Sequence, residues 1–505
     1  MKSIYLKAAM ALCIGFGAVS CGDDFLDTKI YNGVDLDKGL TTVPNIENAL
    51  NGAYYRLFHY NFAGNFSLAI GDLASDVSYW NGKSSHQDAF YRFAALDTDY
   101  TLEDIWNYGY KVIDNSSRII DASAALYETA TEEDKVRLDK STAQAYALRA
   151  YATWNLVNIF GHQIKCNGQD YSSELGIVVV EHPVPAYSEV KRSTVGETYA
   201  AILKDLNSSL TYFSKPGVED YDEPGVNENS LFYFSPAAVY GLMARVNLYM
   251  ENWTDAANNA KKALDLSGKT VNAYTGAAYK ALYNGGESNS ESIFALDINS
   301  RNNWSANSCG TQWSTYDYSP SPWLLSIYAS TDVRRSIINF AAADDGTPSD
   351  QTSTPVYRAG KYGAYASGNP AYAANYLINA PEMYLIMAEA KLNSNDLTGA
   401  KENLLVVAKR NTAISSVSDL PATAADVKAF IKDERARELF QEGLRLYDLR
   451  RWAEKANVYA YNSPEIKYTF TNYDIANFVF PIPAAEINAG FGVEQTPGWS
   501  NTLPK

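Results

Sequence analysis

Histidine and cysteine are scarce in this chain of 505 residues, with four of each. The histidines, His59, His86, His162 and His182, are scattered without ligand spacing, so no metal site is expected. A phosphate-cradling glycine loop, a Gly-x-Ser-x-Gly elbow and an HExxH helix are all missing, which removes the nucleotide, serine-hydrolase and zinc-peptidase motifs. No cofactor is expected. Basic residues are also short, 42 Lys and Arg against 58 Asp and Glu, for a formal charge of −16. That balance argues against nucleic acid, whose phosphates demand a basic footprint. Beyond the first twenty residues no apolar run approaches membrane-spanning length.

The N-terminus is more informative. Lys2 and Lys7 precede an apolar stretch from Ala8 to Val19, too short to span a bilayer, and Ala18-Val19-Ser20 leads into Cys21. This reads as a lipoprotein signal peptide over 1–20, with Cys21 acylated as the new N-terminus, although Ala18 stands where such sites usually carry Leu. Ordinary secretory cleavage is the alternative, and either way the protein leaves the cytoplasm. The mature chain, 21–505, reads as one domain attached to the membrane only by lipid. Cys13 goes with the signal. Cys166 and Cys309 remain, as a disulfide or as two buried thiols.

The middle of the chain is helical in pairs. Leu102 to Leu126, Glu132 to Phe160, Thr194 to Phe213 and Ser235 to Met250 carry apolar residues at three- and four-residue spacing. Ala244, Leu248, Trp253, Ala256 and Ala263 recur 144 residues later as Ala388, Leu392, Leu397, Ala400 and Val407. Both copies read as helix, short polar turn and helix, a spacing similar to tetratricopeptide hairpins. Such hairpins bury their apolar faces only against neighbours, so a continuous scaffold is expected. The fold class is mainly α, with a few short strands such as Ser292 to Ile298 and Phe478 to Pro483. Long Gly/Ser/Asn- and aromatic-rich loops cover roughly 61–100, 267–322 and 341–380. Loops of that length are usually functional.

Tyrosine is abundant, 38 residues beside nine tryptophans, and both side chains suit wet recognition surfaces. Trp80 and Asn81 lie in the first loop; Trp304, Trp313, Tyr316, Tyr318 and Trp323 crowd the second. These are the candidate ligand-binding residues, either stacking on sugar rings and peptide planes or stapling their own loops. Arg301, Asn302, Asn303 and Asp317 are nearby polar groups, and Asp72 and Asp76 have helical spacing next to Trp80. Carboxylates are plentiful, but nothing singles out a catalytic pair. The chain reads as a binder rather than an enzyme, with an anchored glycan hydrolase as the alternative of another class and a purely structural interaction protein as a third. Near the C-terminus, Glu434 to Trp452 packs charges at one-turn spacing on what reads as one helix docked through Arg–carboxylate pairs.

That run, Glu434-Arg435-Ala436-Arg437-Glu438-Leu439, then Glu442-Gly443-Leu444-Arg445, then Asp448-Leu449-Arg450-Arg451-Trp452, resembles the C-terminal signature of the SusD/RagB family. Arg149-Ala150, Asn158-Ile159-Phe160-Gly161, Phe480-Pro481-Ile482-Pro483 and Gln495-Thr496-Pro497-Gly498-Trp499 agree with it. The resemblance implies a surface-exposed, lipid-anchored protein of the Bacteroidetes outer membrane. It further implies a SusD-like helical frame acting as a lid on a SusC-like, TonB-dependent transporter. The implied cargo is oligosaccharide or, as in the RagB branch that Ala147 to Phe213 resembles, oligopeptide. Trp80 then stands where starch-binding relatives place a loop tryptophan, and Trp304 to Trp323 covers their second aromatic cluster.

Overall fold

The computed structural model describes residues 39–80, 85–218, 231–313, 318–338, 360–454, 457–459, 466–469 and 478–502. Local capping sets where its helices begin. Thr42 caps α1 (Val43–Phe58), and α2 (Phe66–Leu73), buried on every side, follows. Asp99 and Thr131 cap α3 (Tyr100–Tyr127) and α4 (Glu132–Phe160). A Thr194–Glu197 capping box opens α5 (Val195–Phe213), and Ser235 caps α6 (Pro236–Tyr249), with Pro236 in its first turn. Each capping oxygen satisfies an amide that the first turn leaves unpaired. The remaining long helices are α7 (Trp253–Ser267), α8 (Ala380–Asn393), α9 (Leu397–Ala408), α10 (Ala424–Leu439) and α11 (Arg445–Trp452).

These helices stack as hairpins. α3 lies on α4, α4 on α5, α6 on α7, α7 on α8, and α8 on α9. The expected repeat holds down to its turns. Glu251 and Asn395, 144 residues apart in sequence, both adopt positive φ, 57° and 63°. The next amides close equivalent bonds, Asn252 N to Asn247 O and Asp396 N to Lys391 O, both 2.9 Å. Small side chains such as Ala244, Ala256, Ala260, Ala388 and Ala400 are fully buried at the helix contacts, which permits close approach.

Buried bidentate ion pairs tie the helices together. Arg149 of α4 holds Asp205 of α5 through two 2.7 Å bonds. Arg245 of α6 holds Glu382 of α8 at 2.7 and 2.6 Å. Arg450 donates to the carbonyls of Asn158 (2.5 Å) and Gly161 (2.7 Å), satisfying acceptors at the C-terminal end of α4.

The strands among the described residues are short and paired in twos; those that bear on the site and its frame are β1 (Ser78–Trp80), β2 (Ser292–Leu296), β3 (Tyr318–Pro320) and β4 (Asn375–Asn379). β1 pairs antiparallel with β3, and β2 antiparallel with β4 through an irregular register. Three expectations are corrected or resolved. The expected Phe478 to Pro483 strand is instead a buried segment that joins no strand among the described residues; Pro481 and Pro483 lack the amides a ladder needs. The Glu434 to Trp452 run is two helices, because Gln441 (φ 68°) and Gly443 (φ 71°) break it into α10 and α11. Cys166 and Cys309 are buried thiols that form no disulfide with each other, and burial pushes the Cys309 thiol up to about 12.

Candidate ligand-binding site

The β1–β3 ribbon joins the first two aromatic loops, setting Trp80 opposite Tyr318. Ser321 extends the junction, its amide donating to Val77 O at 2.8 Å and its hydroxyl to Asp76 O at 2.5 Å. Across this ribbon runs a column of rings. Trp80 meets Tyr91 at 6.1 Å between centroids, Tyr91 meets Tyr318 at 6.3 Å, and Tyr318 meets Trp313 at 6.0 Å. Trp313 ends edge-on against Phe440 at 5.2 Å.

Exposure separates the members of the column. Trp80 is half-buried, whereas Tyr91, Tyr318, Trp313 and Phe440 are at most 3% exposed. Trp313 and Tyr318 therefore do not offer a ligand their faces, which corrects the sequence-based expectation for both. Trp313 packs edge-on against Phe440, and the Tyr318 hydroxyl is spent on His86 O at 2.9 Å. Their role is to hold Trp80. The Arg92 guanidinium lies 5.9 Å from the Trp80 ring and pairs with Asp88 at 2.7 Å.

Beside the foot of the ribbon is a cleft of about 360 Å³, walled by Trp323 and Trp452 and rimmed by Lys428, Lys432, Asp433 and Glu454. Asp76 and Arg445 form its floor through two bonds of 2.7 and 2.9 Å. The Arg445 guanidinium stacks 4.9 Å from Trp323, and Lys432 Nζ sits 5.2 Å from Trp452. Burial raises the Asp433 carboxyl above its ordinary range. Two flat apolar walls with donors and acceptors of both signs suit a polar ligand with apolar faces.

Asp72 stands apart from this chemistry. It is fully buried and accepts the amides of Gln441 (2.6 Å), Gly443 (3.3 Å) and Arg445 (3.3 Å). Burial pushes its carboxyl up to about 7. It clamps the α10–α11 turn rather than facing the cleft.

Trp304 belongs to a different cluster. Its indole donates to Phe58 O at 2.9 Å, and its ring lies 4.4 Å from His59, 5.1 Å from Phe58 and 5.4 Å from Tyr60. It staples its loop to the end of α1. His59, stacked between Tyr60 and Tyr108 at 4.6 and 4.2 Å, is lowered to about 4 by burial, then by Arg56 and Lys111. Asn302 and Asn303 spend their amides on Asp297 O and Asn299 O within their own loop. Cys21, Asn81, Tyr316 and Asp317 lie outside the described residues.

Of the sequence-derived set, the ribbon thus unites Trp80, Trp313 and Tyr318, the cleft takes Trp323, and Trp304 is elsewhere. The reading by sequence missed Arg92, Arg445 and Trp452 as site residues. The last two were visible in the charged C-terminal run, but the Asp76 partner of Arg445 lies 369 residues away. Among the described residues, no group of three His, Cys, Asp or Glu side chains is placed to hold a metal ion, and no helix is long and apolar enough to cross a membrane.

Two family models match the chain: the SusD family over residues 245–499, and the family described as "Starch-binding associating with outer membrane" over residues 24–248. No curated protein matches it in sequence. Among solved structures, a SusD superfamily protein from Bacteroides thetaiotaomicron superposes with a TM-score of 0.76 at 21% identity, covering 90% of this chain and 100% of that one. A putative sugar binding protein from Bacteroides vulgatus gives 0.75 at 23% identity, with 91% and 99% coverage. A SusD-like carbohydrate binding protein from the same species gives 0.70 at 18%, with 92% and 98% coverage.

Proposed function

The chain belongs to the SusD family, and from that premise we propose that it is an outer-membrane nutrient-binding protein that captures oligosaccharides. The observation that carries this reading is Trp80, a partly exposed ring backed by Tyr91 and Tyr318 at the end of a buried aromatic column beside the Trp323–Trp452 cleft. An aromatic fixed in place before binding loses little conformational freedom when a sugar stacks on it. The names of similar structures, sugar binding and carbohydrate binding, point the same way. In this reading Cys21 carries the lipid, the protein faces the exterior, and it closes as a lid on a SusC-like, TonB-dependent transporter. The protein binds its cargo without cleaving it.

One observation favours oligopeptide as a second reading. On the cleft rim Lys428 stands with Asp433, beside the Lys432–Glu454 ion pair, charges of both signs able to meet the termini of a short peptide.

The test is calorimetric titration of the protein beginning at Gly22 against a panel of neutral oligosaccharides and mixed oligopeptides. Trp80→Ala should weaken binding of the preferred ligand about tenfold, as loss of one aromatic stacking contact of about 1.4 kcal/mol requires. Its melting temperature should stay within about 2 °C of wild type, since a half-exposed ring contributes little to the core. Unchanged affinity would refute the site, and release of shorter products from glycans by the wild type would restore the hydrolase.

A further inference from the structure

A second cavity, of about 390 Å³, lies between α3 and the segment 178–190. One face of α3 builds its inner wall: Glu103, Trp106, Asn107 and Tyr110 recur at helical spacing and all line it. The opposite wall is aliphatic, formed by Val180, Val184 and Val190, and Glu486 closes the rim.

The cavity is fixed in shape. The Tyr110 hydroxyl donates to Val178 O and accepts from Val178 N, both at 3.0 Å, so one side chain holds both polar groups of the facing segment. Trp106 packs on Tyr110 at 4.8 Å and on Phe160 at 5.1 Å. Val190 N donates to Phe491 O at 2.8 Å, tying the far wall to the C-terminal region.

Its charge is one-sided. Neither Glu103 nor Glu486 has an ion-pair partner among the described residues, and no cationic side chain is among those lining the cavity. The nearby cation, Arg192, is committed to other acceptors: the carbonyls of Gly176 and Glu494 and the Thr496 hydroxyl take its bonds at 2.7 to 3.0 Å. The rim segment is also unusually apolar for a surface, with Val184 38% and Tyr187 87% exposed.

We propose that this cavity binds the side chain of an arginine or lysine presented by a peptide. Its apolar stem would lie between the valines and the aromatic pair, and its cation would meet Glu103 and Glu486. Aliphatic walls accept the methylenes of such a stem, and aromatic faces and carboxylates both attract its charged end. A neutral apolar guest would leave the two carboxylates unused, and an anion would be repelled by both.

The proposal does not depend on the glycan reading, and its test keeps the two apart. Protein carrying 15N-labelled tryptophan is titrated with N-acetyl-arginine methylamide and with its neutral isostere, N-acetyl-citrulline methylamide. The Trp106 indole signal is assigned by its disappearance in Trp106→Phe. Saturable movement of that signal by the arginine probe is expected, with the citrulline probe binding about fivefold more weakly. The double variant Glu103→Gln/Glu486→Gln should fold with unchanged melting temperature, because neither carboxylate has a partner to lose, and should bind the two probes equally. Trp80→Ala should leave the arginine affinity unchanged. Equal affinity of the two probes for wild type, no saturable movement of the Trp106 signal, or a preference for arginine that survives in the double variant would each overturn the proposal.

Discussion

Arg334 is the most demanding test of what holds this fold together. Its side chain is 1% exposed and meets three buried carboxylates. It holds Asp332 through two bonds of 2.9 and 2.7 Å, Glu434 at 2.8 Å and Glu438 at 2.9 Å. Arg334→Met keeps the length and removes the charge. Glu434 then retains Arg437 at 2.6 Å, Glu438 retains only a 3.4 Å contact with Arg410, and Asp332 loses its ion-pair partner. Breaking a buried pair from one side costs about 3–5 kcal/mol, and the stranding of Asp332 together with the weakened hold on Glu438 places this variant at the upper end. Against a typical stability of about 5–15 kcal/mol, that is a third or more of the total. Glu438→Gln should cost less, about 1–2 kcal/mol, because Arg334 keeps two carboxylates and Arg410 keeps Glu291. Guanidinium chloride unfolding followed by far-UV circular dichroism at pH 7 measures both. A loss below about 1 kcal/mol for Arg334→Met, the low end for a buried polar defect, would refute the reasoning, as would the reverse order of the two variants.

Trp313→Ala should cost about 3–5 kcal/mol, since the ring is 2% exposed and wedged between Tyr318 and Phe440; a melting temperature equal to that of Trp80→Ala would contradict its assignment as a buried support. Acid should destabilise the fold through Glu434, whose carboxyl is lowered from 4.5 to about 2: burial alone would raise it, but Arg334 and Arg437 outweigh burial. A depressed folded pKa contributes stability that is complete above about pH 4.5 and lost as the pH falls through 2, here on the order of 3 kcal/mol. Unfolding midpoints that stay level between pH 5 and pH 2.5 would rule this out.

The sequence was most legible where local rules act alone. Apolar spacing located four long helices, Leu102 to Leu126, Glu132 to Phe160, Thr194 to Phe213 and Ser235 to Met250, within a residue or two. The internal repeat foretold paired turns at Glu251 and Asn395, because a polar turn between two apolar stripes has few backbone solutions. Legibility failed where orientation depends on distant partners. Trp304, Trp313, Tyr318 and Trp323 look alike in sequence, yet they are sorted by Phe58, Phe440, His86 and Arg445. Each of those partners lies more than a hundred residues away. The run from Phe478 to Pro483 misled for a local reason: its continuous apolar character suggested a strand, and its prolines lack the amides a ladder needs.

The C-terminal charged run and the aromatic loops meet in one piece of architecture. Gly71 and Gly443 approach so closely that a Cβ on Gly71 would lie 1.9 Å from Gly443 O, and one on Gly443 would lie 1.9 Å from Leu68 O. Gly443 also needs its positive φ of 71°, so two independent constraints demand glycine there. Asp72 then accepts the three amides of the turn while Arg445 grips Asp76. These contacts fix the segment between α2 and β1 only four residues before Trp80. The segment that leads into Trp80 is thereby anchored from the far end of the sequence. The Glu-Gly-x-Arg turn thus holds the root of the loop bearing Trp80, the residue to which the proposed function assigns binding, and Arg445 carries the same linkage into the cleft floor beneath Trp323.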